Sequence, residues 1–253
     1  MAQDVLAPNE AGFLLDTTDK VVWFQGNLEF GNVIPVEGVV EDWQSNRRRA
    51  LEILAGRTAA SQLVRMRRPV RPYADLHLEP AADIIRAHAL ITSDPDHILN
   101  ANPADCEEIA LHGFSPKIDK DVIAIVHADR RSVGDETYLR TLEYITGTYG
   151  LEPDALDAWI SPSAREGYVM SYLGEGLADD NGWEGYVNPV EGGWHIDVHG
   201  RMMERLCEFG FDEARIRDNA EDTTTDPRYF SHFQQVNHGQ PKGFNGLMFA
   251  LRS

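Results

Sequence analysis

Short apolar blocks recur along this chain, separated by polar segments that contain Gly, Pro, Asp and Asn. The pattern predicts strands over residues 21–24, 89–92, 109–111, 122–126, 156–160 and 247–251. Residues 122–126 are continuously apolar and rich in β-branched side chains, which is typical of a strand buried on both faces. We therefore expect a sheet with at least one interior strand.

Three further segments have the apolar spacing of helices. The first has Trp43, Ala50, Leu51 and Leu54 on one face, Asp42 or Ser45 as its N-cap and Gly56 at its end. The second spans residues 135–145, with Gly147 as its stop. The third runs from about residue 197 to 209 and ends at Gly210, with Met202, Met203, Leu206 and Phe209 facing inward. Residues 174–193, rich in Gly, Asp and Asn, predict a long irregular loop. Because no linker separates these elements, we expect one domain over residues 1–253.

The composition is that of an ordinary globular protein, with 42% hydrophobic and 25% charged residues. The net charge of −18 argues against a general nucleic-acid or anionic-membrane surface, although a local basic pocket for a small anion remains compatible with it. No apolar stretch reaches the length of a membrane span and the first residues lack a signal-peptide pattern, so we expect a cytoplasmic location. The two cysteines lie in different contexts, which makes a disulfide framework an unsuitable interpretation.

Cys106 and His127 give the strongest indication of chemistry. Each lies at the end of a predicted strand, Cys106 before residues 109–111 and His127 after residues 122–126. A thiol and an imidazole at adjacent strand ends can share a metal or form a nucleophile–base pair. From periodicity alone, a buried structural thiol is the simpler interpretation of Cys106.

Other reactive side chains have structural interpretations. His195 and His199 are four residues apart, like metal ligands on a helix, but the intervening Ile-Asp-Val lacks the glutamate of a zinc-protease motif. We therefore expect both to be structural. Cys207, close to Leu206 and Phe209 in the third predicted helix, is expected to be a small buried hydrophobic residue.

A series of motifs in this order resembles one known family. The matching segments are Glu41-Asp42-Trp43-Gln44-Ser45-Asn46-Arg47-Arg48-Arg49, Asp75-Leu76-His77, Ala87-His88-Ala89-Leu90-Ile91-Thr92, Pro103-Ala104-Asp105-Cys106, Ile123-Ala124-Ile125-Val126-His127-Ala128 with Arg131, Ser161-Pro162 with Tyr168, and Asp222-Thr223, Asp226-Pro227 and Tyr229-Phe230-Ser231. Together they resemble the YfiH-type family, also called the multicopper polyphenol oxidase or laccase-domain family, whose members resemble purine nucleoside phosphorylases in activity. The resemblance implies an α+β fold, namely a mixed β-sandwich covered by helices in a single domain.

The resemblance also implies a metal centre. The family residues that correspond to His77, Cys106 and His127 form its active-site metal cluster, so we expect these three to be metal ligands and catalytic residues. Arg131 is expected to contact an anion such as phosphate. One thiolate and two imidazoles suit a tetrahedral Zn²⁺ that keeps one position open for water or a substrate oxygen. His88, which occupies the family's Asp position, is the alternative to His77 as third ligand.

The function implied by the resemblance is zinc-dependent phosphorolysis of the N-glycosidic bond of purine nucleosides, with adenosine deamination as a further activity. The expected partners are a nucleoside and phosphate, and neither nucleic acid nor a membrane. Three alternatives remain open: a copper-dependent polyphenol oxidase, a metal-free hydrolase with Cys106 as nucleophile and His127 as base, and a divergent non-catalytic binding protein. The last is favoured by departures from the family pattern at Gln25, Asp129-Arg130, Asp222 and His232-Phe233-Gln234.

Overall fold

The structure, a computed structural model, describes residues 13–67, 72–76, 83–171 and 182–252. The strands in these ranges are β1 (Phe13–Thr17), β2 (Val21–Gly26), β3 (Gln62–Arg67), β4 (Ala74–Asp75), β5 (Ile84–Arg86), β6 (Ala89–Thr92), β7 (His97–Ala101), β8 (Glu107–Ser115), β9 (Lys120–Ala128), β10 (Asp157–Ile160), β11 (Val169–Met170), β12 (Val187–Val190), β13 (Gly193–Ile196), β14 (Ile216–Asp218) and β15 (Leu247–Leu251). The α-helices are α1 (Trp43–Ala55), α2 (Arg130–Gly134), α3 (Thr137–Tyr149), α4 (Val198–Phe209) and α5 (His232–His238), with 3-10 turns at Pro153–Ala155 and Glu213–Arg215. Among the described residues, no helix is long and apolar enough to cross a membrane.

The strands form two six-stranded sheets and one small sheet. The first sheet has the order β1-β2-β15-β7-β3-β5, the second β14-β10-β8-β9-β6-β4, and the three-stranded sheet β11-β13-β12. Antiparallel pairs predominate, but β3 runs parallel to β5 and β7, β4 to β6, and β14 to β10. The sheets are therefore mixed, and the predicted α+β class is confirmed.

Three apolar cores join the layers. The inter-sheet core lies between the two large sheets, where Trp23 and Phe249 of the first sheet pack with Ile125 and Trp159 of the second. The helix-side core covers the other face of the second sheet with α2, α3, α4 and the small sheet. A third core packs α1 against the outer face of the first sheet. The predicted sandwich covered by helices is thus observed.

Helices α1 and α4 follow the sequence prediction closely. Asp42 caps α1 by accepting a hydrogen bond from the Ser45 backbone N–H at 3.0 Å, and the helix ends at Gly56. Asp197 caps α4 in the same way through the Gly200 N–H at 2.7 Å. Local caps and an apolar face together determine both helices.

Two predictions about local structure were wrong. Helix α3 does not stop at Gly147 but continues to Tyr149 and ends at Gly150, because Gly150 adopts the left-handed conformation, φ 65°, that terminates helices. Residues 174–193 are not one irregular loop: residues 172–181 lie outside the described residues, and β12 and β13 follow as an antiparallel hairpin. Gly192, at φ 88°, lies in the turn of this hairpin.

The long antiparallel pair β8–β9 positions the predicted chemistry. It pairs Glu107 with Ala128 and Glu108 with His127 at one end of the second sheet. Alternation along β8 directs Ile109 to the helix-side core and Ala110 to the inter-sheet core. The same alternation places Glu107 and Glu108 on opposite faces of the sheet.

Candidate functional site

Cys106 and His127 lie side by side at this end of the second sheet. Cys106 directly precedes β8, His127 is near the end of β9, and the Cys106 thiol lies close enough to the His127 imidazole to raise the pKa of His127. Cys106 is partly buried. The structure therefore brings together the two side chains that the strand pattern singled out, and their catalytic and metal-binding roles stay predictions.

Glu108 holds the other side of the His127 ring. The two residues are directly opposite each other on β8 and β9, and His127 Nδ1 donates to Glu108 Oε1 at 2.7 Å. The Glu108 side chain is 2% exposed and that of His127 is 20% exposed. The second ring nitrogen, Nε2, lies 3.9 Å from Asp129 Oδ2.

Electrostatics couple these groups strongly. Burial alone would lower the pKa of His127, but the Glu108 charge and hydrogen bonds with Cys106 and Glu108 outweigh it and raise that pKa well above its ordinary value. Burial raises the pKa of Glu108, against the opposing effect of His127. Burial of Asp129 is outweighed by the Ser132 N–H and the His127 charge, which lower the Asp129 pKa. The pKa of His127 is thus set by the two carboxylates that flank its ring, Glu108 at Nδ1 and Asp129 near Nε2.

His88 and Arg131 border the same site. His88 O accepts the His127 backbone N–H at 2.7 Å, and the two imidazole rings are 6.4 Å apart. His88 Nδ1 is buried and has no hydrogen-bond partner among the described residues. Burial lowers the pKa of His88, and the nearby Arg131 charge lowers it further, although Asp129 opposes both. Arg131 itself is exposed on α2, close enough to the site to act on His88.

The predicted third ligand, His77, lies outside the described residues. Within the ranges that the structure describes, no group of three or more His, Cys, Asp or Glu side chains is arranged to hold a metal ion. The complete ligand set of His77, Cys106 and His127 therefore remains a prediction.

A second buried ionic cluster lies on the opposite face of the same sheet. Glu107 Oε1 accepts from His199 Nδ1 at 2.5 Å and from Ser163 Oγ at 2.8 Å. His199 Nε2 is 3.3 Å from Asp218 Oδ2. Arg165 donates to the same carboxylate through its two terminal nitrogens, Nη1 at 3.0 Å and Nη2 at 2.5 Å. Burial would lower the pKa of His199, but hydrogen bonds with Asp218 and Glu107 raise it to about 9. This cluster ties α4 and β14 to the start of β8.

The structure also places the side chains that the sequence analysis interpreted as structural. His195 and His199 do not share a helix face, because His195 lies on β13 and contacts the Arg165 backbone oxygen at 3.2 Å. Cys207 is exposed, so its prediction as a buried residue was wrong. Leu206 occupies the buried face of α4, and the next residue points about 100° away around the helix.

Sequence reasoning missed Glu107 and Glu108 as site residues. Their signal is two adjacent carboxylates that open an apolar strand, a position where burial requires a partner for each charge. The partners are 92 residues away for Glu107 and 19 away for Glu108, so a local pattern does not find them.

Comparison with known proteins identifies the family. The family model for multi-copper polyphenol oxidoreductase laccase matches residues 36–247, which is most of the chain. The chain belongs to this laccase-domain family. Membership supports a metal-associated enzyme, and the YfiH-type resemblance read from the motifs is confirmed.

Solved structures of other proteins share the fold. Bacillus licheniformis YfiH, described as a hypothetical protein, has a TM-score of 0.79 at 14% identity, covering 98% of this chain and 100% of that one. YlmD from Geobacillus stearothermophilus has a TM-score of 0.78 at 16% identity, covering 99% of this chain and 100% of that one. No curated protein matches the sequence. At such low identity these neighbours establish the fold alone, and the substrate has to be inferred from the site residues.

Proposed function

We propose that this laccase-domain protein is a zinc-dependent enzyme that cleaves the N-glycosidic bond of purine nucleosides with phosphate, and that adenosine deamination is a second reaction of the same site. The observation that supports a metal centre is the contact between Cys106 and His127, with Glu108 on the other nitrogen of the imidazole. Thiol and imidazole donors suit zinc, and a carboxylate bound to the far nitrogen of a histidine is the usual support of a metal ligand. The donor set thus fits a zinc ion.

Cys106 and His127 would hold the ion, with His77 as the proposed third ligand and His88 as its alternative. A bound zinc ion supplies Lewis-acid polarisation of a substrate oxygen. Arg131, exposed beside the site, would hold the phosphate dianion through charge-assisted hydrogen bonds. The inter-sheet core beneath His127 keeps water from one side of the site.

The test is an assay of the untagged protein with adenosine or inosine and phosphate, with and without a chelator, combined with elemental analysis. We expect stoichiometric zinc, release of the free purine base, and loss of that activity on chelation. Release of inosine from adenosine without phosphate would identify deamination. No purine product and no bound metal would contradict the proposal and favour a non-catalytic binding protein.

The two cysteines provide a matched pair of variants for this assay. Cys106→Ala is expected to lose both metal and activity, because it removes the thiol that contacts His127. Cys207→Ala removes an exposed thiol on α4, far along the chain from the site, and should retain both. Equal behaviour of the two variants would argue against a role for Cys106.

Two other functions have specific support. The family's description names copper and polyphenols, so stoichiometric copper with oxidation of a phenol would establish an oxidoreductase instead. The proximity of the Cys106 thiol to the His127 imidazole also suits a nucleophile–base pair without metal. An active protein that contains no metal and is inactivated by alkylation at Cys106 would establish this hydrolase.

A further inference from the structure

Glu108 is a buried carboxylate at a strand position whose neighbours on the same face are apolar core residues. Its neighbours on the same face of the second sheet, Ala110 of β8 and Ile125 of β9, belong to the inter-sheet core. The Glu108 side chain is 2% exposed. A buried carboxylate costs several kcal/mol relative to a well-packed hydrophobic residue unless its partners compensate, so packing alone does not explain this glutamate.

Among the described side chains, His127 is the single hydrogen-bond partner of the Glu108 carboxylate. Glu108 Oε1 accepts from His127 Nδ1 at 2.7 Å, and Glu108 Oε2 is buried without a hydrogen-bond partner in the described part of the chain. The directly opposed register on β8 and β9 fixes both backbones. Within the described part of the chain, the Glu108 carboxylate therefore hydrogen-bonds to Nδ1 of His127 alone.

Because Nδ1 is occupied by Glu108, only Nε2 of His127 can bind another ligand. Nε2 lies 3.9 Å from the Asp129 carboxylate. The Cys106 thiol also lies near the imidazole ring. A carboxylate on the far nitrogen fixes the tautomer and ring orientation of a metal-binding histidine and strengthens the nitrogen as a donor.

We propose that Glu108 is a positioning residue that orients His127 and strengthens its Nε2 as a metal ligand. The inference rests on the proposed metal centre and deepens it. Glu108 does not touch the metal or substrate; it acts through His127. Its neighbour Glu107, equally buried at 2% exposure but bonded to His199 on the opposite face, has no such role.

The test compares zinc affinity by competition with a chromophoric chelator in wild type, Glu108→Gln, Glu108→Met and Glu107→Gln. Glu108→Met replaces the carboxylate with an apolar side chain of similar length, and we expect zinc binding to weaken about 10- to 100-fold. Glu108→Gln keeps an amide oxygen that accepts from Nδ1 and should fall between Met and wild type. Glu107→Gln should bind zinc as wild type does.

Cobalt(II) substitution supplies a readout other than affinity. The thiolate-to-cobalt absorption band should persist in all variants, because Cys106 is unchanged, while the ligand-field bands shift in the Glu108 variants alone. Circular dichroism confirms that each variant is folded, and Glu108→Gln serves if Glu108→Met does not fold.

The outcomes separate the two proposals. Zinc binding by wild type with unchanged affinity in both Glu108 variants would overturn the role of Glu108 and leave the metal centre intact. Equal weakening by Glu107→Gln would assign the effect to loosening of β8 and also overturn it. Failure of wild type to bind zinc or cobalt would overturn both.

Discussion

Glu107 and Glu108 are consecutive residues of β8 whose carboxylates bond to histidines on opposite faces of the same sheet. Glu107 Oε1 contacts His199 Nδ1 at 2.5 Å, and Glu108 Oε1 contacts His127 Nδ1 at 2.7 Å. Strand alternation makes this division unavoidable once both residues are in the strand. One residue step thus separates an ionic cluster that links α4 to the sheet from the site that contains Cys106.

The His199 cluster predicts a specific loss of stability at alkaline pH. The pKa of His199 in the folded protein is about 9, above the roughly 6.5 of an unfolded histidine. A raised folded pKa contributes stability that is fully present below about pH 6.5 and is lost as pH rises through about 9. Urea unfolding at a series of pH values should show the free energy of unfolding decreasing by about 3 kcal/mol over this window from this group.

Two variants isolate the contribution of His199. His199→Gln keeps a polar side chain without the titrating charge, so its free energy of unfolding should lack this part of the pH dependence. Glu107→Gln removes the negative partner at 2.5 Å and should weaken the same dependence while lowering stability at about pH 6 by roughly 3 kcal/mol. A wild-type pH profile that is unchanged in His199→Gln would contradict the assignment.

Local signals explain how much of the fold was predictable. The end of helix α1 was predicted correctly because the apolar face and the terminal Gly56 are contained in the segment itself, and its N-cap, Asp42, is one of the two caps that were predicted. The end of α3 was misplaced because Gly147 and Gly150 are equally good stop signals in sequence. Only the tertiary fit of Tyr149 into the helix-side core decides between them.

The site was predictable to a different degree. The ends of two apolar strands indicated Cys106 and His127, and antiparallel pairing does bring them together. Their supporting residues were not predictable in this way, because the partner of a buried carboxylate depends on register and on which helix covers the sheet. His199, for example, reaches Glu107 across 92 residues of sequence.

The two glycines at the end of α3 should respond to alanine in opposite directions. Gly147 lies within the helix with open space around it, so Gly147→Ala should stabilise the protein by about 0.5–1 kcal/mol through helix propensity. Gly150 has φ 65°, and an added Cβ would lie 2.8 Å from Lys117 Cε. Gly150→Ala should therefore cost about 1–2 kcal/mol. Thermal and urea unfolding measure both, and destabilisation by Gly147→Ala would contradict the observed helix end.

Arg131 should contribute to phosphate binding without contributing to metal binding. It is exposed on α2 near His88, where a guanidinium can meet an incoming dianion. In the phosphorolysis assay, Arg131→Ala should raise the KM for phosphate about ten-fold, as the loss of roughly 1.4 kcal/mol of binding implies, with unchanged zinc content. Arg140→Ala, an exposed arginine on α3, is the matched control and should leave both quantities unchanged. Equal effects of the two variants would indicate a general charge effect.

The two thiols should differ in their reaction with a maleimide reagent. Cys207 is exposed on α4, so it should be labelled in the folded protein, although its partial burial and Glu213 raise its pKa and slow the reaction. Labelling at about pH 8.5 compensates for this by increasing the thiolate fraction. Cys106, partly buried against His127, should react more slowly, and added zinc should protect it and leave Cys207 unprotected. Mass spectrometry of wild type, Cys106→Ser and Cys207→Ser assigns each label. Labelling of Cys207 only after denaturation would contradict its exposure on α4. Protection of both thiols by zinc would show that the ion does not act at Cys106 alone.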